Sequence, residues 1–377
     1  MTILGLEDWT KTSRVKVVIK ELELSHGVEA EPCTHATRRI MTITRDSTLP
    51  KRAKTLLTRS LVQVTLELMG GLRVGEATGG GDGHGLLANH LCLMRPVGTE
   101  MGHADEVVQA WIADSKTGFS RHACFVGKSR GALQWDGASY IRALWKEMKL
   151  AVKPTVRDGM TVESTDYSVC RVSILDMDKA VFDRFVLALA NTYVTALALH
   201  AKYSIKRARE RRAAGTLGEE LRYVNITGGE ENGPEIKAAK EWALENGLSK
   251  YCDIVPGPLL RATNGKQLTH MPLAPGSSYQ IIFDAVYGAY EESSKMSEVD
   301  TELDLDGLEK PKFAHHTMRR TADKWAREAI AASLSTATNE MVDVVFGWKQ
   351  AEREKDQQFH YAGPQKVAEL CKVTMFA

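Results

Sequence analysis

The chain has 377 residues, 43% of them apolar, enough to bury a large core, which excludes a disordered tail. Its 49 basic and 48 acidic residues nearly cancel, so whole-chain charge argues neither for nor against nucleic acid, and only local clusters bear on it. The six cysteines are scattered, with no CxxC pair and no histidine at finger spacing, which points to a reducing compartment without structural zinc.

Residues 1–45 carry a weak pattern and read as a short strand or linker. Their start lacks the basic-then-apolar order of a signal peptide, and the most apolar run, FVLALANTYVTALALH, is too short and polar to span a bilayer. A soluble, intracellular protein with no membrane partner is expected. From Leu49 to Met69 apolar residues recur at helical spacing, and Gly70 and Gly71 stop that helix. The glycines of LRVGEATGGGDGHG follow no strand and fit no phosphate-loop frame, so they read as a mobile turn.

Two β runs between Glu106 and Val126 flank DSKTGFS and form a hairpin with Lys116 at its tip. A helix over about 137–150 comes next, then the extended stretch SVCRVSILDM. Asp178 caps a long helix running to about Arg212, apolar first and basic last. LRYVNITGGEENG reads as a turn-rich break, followed by a helix from about Pro234 to Asn246. Further helices are expected near Ser278–Glu291, from His316 and near Thr338–Phe346, with an acidic linker at Glu291–Glu309. A short amphipathic helix is expected after Pro364, with Val367, Leu370, Cys371 and Met375 on one stripe. The expected class is mainly α with a small β hairpin or sheet (α+β).

Five local signals stand in one order: GLRVGEA with Arg73 and Glu76, the hairpin Lys116, HTMR with His316 and Arg319, GW with Trp348, and QQFHYAG with Tyr361. Each is weak alone. Together they resemble the tyrosine recombinases, or phage-type integrases, over roughly residues 46–153 and 251–365. The resemblance implies that family's catalytic-domain fold, carried by residues 46–377 with a large insertion at about 154–250. It also implies catalytic roles for Arg73, Lys116, His316, Arg319, Trp348 and Tyr361, and a site without metal or cofactor. The family's usual separate DNA-clamping domain is not supplied by residues 1–45, which could be its remnant.

The chemistry accounts for the residue types. Attack on a phosphodiester builds charge on its equatorial oxygens, so fixed cations are needed around them. Arg73 and Arg319 offer planar forks that stay charged at any working pH. His316 precedes Arg319 by three residues, on the same helix face, and can donate to an oxygen or take the phenol proton. Tyr361, the sole tyrosine after His316, would form a covalent ester that conserves the bond energy for rejoining. Lys116 is the candidate acid for the leaving 5′ oxygen. Trp348 would donate its indole N–H to the phosphate. Glu76 would orient a neighbouring basic side chain.

Arg320 points to another face and is expected to meet DNA backbone or an acidic partner, and Lys206 and Arg207 in the basic run KYSIKRARERR are expected to meet DNA. Double-stranded DNA is the expected partner, with protomers assembling on it as a dimer to tetramer, inside the cell. A type IB topoisomerase and a telomere resolvase share this site chemistry and are the alternatives, with a non-cleaving DNA-binding protein on the same fold, against which the intact residue set argues.

Overall fold

The computed structural model describes residues 51–79, 85–113, 121–129, 135–191, 199–218, 222–263, 268–278 and 315–346, at a few helix and strand positions by backbone alone. Ten strands in three sheets lie among them, and this corrects the mainly-α expectation and with it the recombinase-type catalytic fold. The largest sheet is five-stranded and wholly antiparallel, in the order β3-β2-β1-β5-β4. Its strands are β1 (Leu91–Pro96), β2 (Val107–Ile112), β3 (Arg121–Val126), β4 (Lys153–Arg157) and β5 (Met160–Ser164).

β2 follows from alternation, with Val108, Ala110 and Ile112 facing the core while Trp111 faces out against His90, and β3 is buried from Ala123 to Val126. β4 is exposed along its whole length, so no hydrophobic period marks it. It is held by its hairpin with β5, across Asp158 and Gly159 at φ 47° and 74°, the backbone of a two-residue turn with both central residues left-handed.

Two helices cover the sheet's core. α1 (Lys51–Leu68) and α2 (Gly137–Glu147) pack together, and Trp135 Nε1 donates to Thr65 Oγ1 at 2.8 Å. Asp136 caps α2 by accepting from Ser139 N. Four charged residues from separate places fasten the arrangement: Arg95 on β1, Glu106 before β2, Arg142 on α2 and Glu163 on β5. Arg142 Nε donates to Glu163 Oε2 at 2.8 Å, Arg142 also pairs with Glu106, and Arg95 pairs with Glu163.

Burial works against ionising Glu163, but the hydrogen bonds and charges of Arg95 and Arg142 together outweigh it and hold the carboxyl below its ordinary range. Its folded value therefore lies below its unfolded one. The contribution is complete above the unfolded value, about pH 4.3, and is lost as pH falls through the folded one. Glu163→Gln is expected to lower stability at neutral pH by about 3 kcal/mol, because two arginines keep a single carboxylate. Urea denaturation should show that gap closing at acid pH; an unchanged midpoint at pH 7 would contradict it.

A second core begins at β6 (Tyr167–Ser173), which pairs antiparallel with β7 (Tyr223–Glu230) and β8 (Cys252–Pro256) in the order β7-β6-β8. Tyr167 and Val169 lie in the first core, and Cys170 and Val172 in the second. α3 (Lys179–Ala190), α4 (Leu199–Ala213) and α5 (Pro234–Glu245) complete the second core with Phe182, Phe185, Ile205, Ala208, Ile236 and Trp242. The single long helix expected from Asp178 to Arg212 is thus two helices. Asp178 does cap the first, accepting from Val181 N at 2.8 Å. The expected turn-rich break is mostly β7, whose Val224 and Ile226 point into the second core.

A two-stranded sheet, β9 (Arg261–Thr263) with β10 (Leu268–Pro272), follows β8. α6 (His315–Ala331) then lays Met318, Ala322 and Ala326 into the first core against α1. Arg327 on α6 reaches Asp343 at 2.7 Å and ties down α7 (Asn339–Val345). No described helix is long and apolar enough to cross a membrane. The helix expected at Ser278–Glu291, the acidic linker and the tail helix lie outside the described residues, apart from Ser278 itself.

Candidate functional site

Arg73 stands five residues past the end of α1, on a turn with an unusual backbone. Gly71 has φ +61°, and a Cβ built on it would stand 2.1 Å from the ring of Phe346. Only glycine permits both the left-handed conformation and that approach. Phe346 is fully buried and directly precedes Gly347 and Trp348. The fold therefore presses the Arg73 turn against the residue leading into the expected GW segment.

Beyond Arg73 the chain forms a π-helical turn over Gly75–Gly79, where a mobile loop was expected. Glu76 closes it. Its Oε2 accepts from Arg73 N and its Oε1 from Arg73 Nη1, both at 2.8 Å. The Glu76 side chain is 4% exposed and that of Arg73 is 23% exposed. Arg73 Nε and Nη2 have no partner among the described residues. One edge of the guanidinium is thus fixed by a buried carboxylate while the other keeps two parallel donors, the geometry that suits a planar pair of oxyanion acceptors.

Arg319 is buried on α6, one residue after Met318 in the core, so helix register rather than flexibility sets its position. His316 and Arg320 lie on the same helix by their backbone, and their side chains are outside the described residues. Lys116 falls in the connection between β2 and β3, whose pairing runs from Val107↔Val126 to Ile112↔Arg121. That connection, Trp348 and Tyr361 are outside the described residues. Lys206 and Arg207 are exposed on α4. The structure thus places the Arg73 turn against Phe346, the residue before the GW segment, and α6, which carries Arg319, packs on α1 and α7.

Two features had no sequence signal. Phe346 read as the end of a helix, and Gly71 as a helix stop. A buried polar joint also links the two cores. Arg59 Nη1 on α1 donates to Arg261 O at 2.6 Å, Arg261 Nη1 donates to Tyr167 Oη at 3.1 Å, and that oxygen lies 2.8 Å from His270 Nδ1. Burial pushes the Arg59 guanidinium down to about 10. A Cβ on Gly257 would stand 2.1 Å from the Tyr167 ring, so the ring fits only against a bare backbone.

Compared with family models, curated proteins and solved structures, the chain matches none.

Proposed function

We propose that this chain breaks and rejoins DNA strands through a covalent 3′-phosphotyrosyl intermediate, as a site-specific recombinase or integrase. The observation that carries the reading is Arg73, clasped on one edge by buried Glu76, with its other edge unpartnered among the described residues. A carboxylate that served only to neutralise the arginine would not need to bind its backbone N–H as well; here it fixes direction. The motif order from Arg73 through His316, Arg319 and Trp348 to Tyr361 supplies the rest.

In this reading Arg73 and Arg319 bind the nonbridging oxygens of the scissile phosphate, with the Trp348 indole N–H as a further donor. The Tyr361 phenol gives its proton to neutral His316 and its oxygen attacks phosphorus. The bond to the 5′ oxygen breaks, and Lys116 protonates that leaving group. A 5′ hydroxyl from another strand reverses these steps and frees Tyr361. The partner is double-stranded DNA inside the cell, on which protomers assemble as a dimer to tetramer.

The test is incubation of the full chain with suicide duplexes of randomised sequence, from which the short fragment bearing the freed 5′ hydroxyl diffuses away and leaves the adduct trapped. A denaturant-stable protein–DNA species is expected. Its absence across the pool would leave a non-cleaving DNA binder as the better account.

A further inference from the structure

We infer that the outer face of α4 is a second contact surface for duplex DNA, gripping backbone phosphates beside the Arg73 turn; this rests on the DNA reading above. α4 is anchored from one side. Ile205 and Ala208 are buried in the second core, and Arg212 turns inward, donating to Ile174 O and Met177 O and lying 4.7 Å from the centre of the Phe182 ring. Away from that anchor stand Lys206, Arg207 and Arg209, all exposed, with Glu210 as the one acid beside them.

These three cations have no carboxylate partner among the described residues. Arg327 is engaged by Asp323 and Asp343, and Lys237 and Lys240 on α5 share their helix with Glu235, Glu241 and Glu245. The α4 face is therefore a local excess of positive charge in a chain that is otherwise nearly neutral.

Its place in the fold joins it to the proposed site. α4 packs against β10, and at the end of β10 a Cβ on Gly79 would stand 3.2 Å from Pro272 Cβ. Gly79 closes the turn that starts beyond Arg73. One strand thus connects the two cationic groups. A single scissile phosphate offers too few contacts to hold a duplex at physiological salt, and each added phosphate contact releases counterions and steepens the salt dependence by about 0.9. Lysine and arginine on a helix face recognise that backbone without reading sequence.

The test is anisotropy of the full chain on a duplex of arbitrary sequence, between about 50 and 200 mM salt. The variant Lys206→Gln/Arg207→Gln/Arg209→Gln should lower the slope of log affinity against log salt by about 2.7, three contacts at about 0.9 each. The pair Lys237→Gln/Lys240→Gln should leave the slope as it is. If the triple variant melts early, Arg207→Gln alone should lower it by about 0.9. An unchanged slope in the α4 variants, or an equal fall in the α5 control, overturns the surface. A lowered slope without any covalent adduct would support it while the cleavage reading failed, and adducts with an unchanged slope would do the reverse.

Discussion

Arg73→Ala should slow DNA cleavage at least ~100-fold while binding falls far less, the usual scale for deleting one preorganised donor to a developing oxyanion. Arg73→Lys should recover little, because an ammonium cannot hold Glu76 Oε1 and at the same time present two parallel donors. Glu76→Gln retains one acceptor and loses the charge, so its effect should be smaller and fall on the cleavage rate rather than on affinity. Single-turnover cleavage on a trapped substrate separates the two. Near-normal rates with Arg73→Lys would show that the free edge of the guanidinium is not used.

Gly71→Ala should be the most damaging single methyl in the described chain near this site. The left-handed backbone and the approach to Phe346 add up to about 2–5 kcal/mol of lost stability. Phe346→Leu should relieve part of the clash, so the double variant should be less destabilised than the sum of the singles, with a coupling of at least ~1 kcal/mol. Chemical denaturation of the four proteins gives that number. Strict additivity would mean that the Arg73 turn and the residue before Gly347 do not touch in solution.

Much of the fold was legible wherever local chemistry decides it. α1 with its glycine stop, the β2–β3 hairpin, α2, α5 and α6 follow from helical spacing, alternation and breakers that act within a few residues. The strands that overturned the mainly-α expectation depend on distant partners. β5 is a strand because β1 pairs with it through Leu93↔Glu163, and β8 because β6, already legible as extended, lies beside it. Neither pairing leaves a local mark. β7 was obscured by Gly228 and Gly229, which read as turn residues yet belong to the strand. One available signal went unread: Asp158-Gly159 announces the β4–β5 hairpin.

The candidate site divides in the same way. The His-x-x-Arg spacing fixes which residues share a face of α6, and the structure adds that Met318 is in the core while Arg319 is buried beside it. That Glu76 would hold Arg73 through both backbone and side chain was open from a three-residue spacing alone. The contact between Gly71 and Phe346 spans most of the chain and is set by how α6 packs on α1 and α7 on α6 and β3.

The most direct test of the account is where the DNA becomes attached. After trapping on the suicide duplexes, nuclease and protease digestion followed by mass spectrometry should place the nucleotide adduct on the peptide that contains Tyr361. Tyr361→Phe, which removes only the attacking oxygen, should give no adduct and still bind DNA. An adduct on any other residue, or one that persists in Tyr361→Phe, would contradict the account.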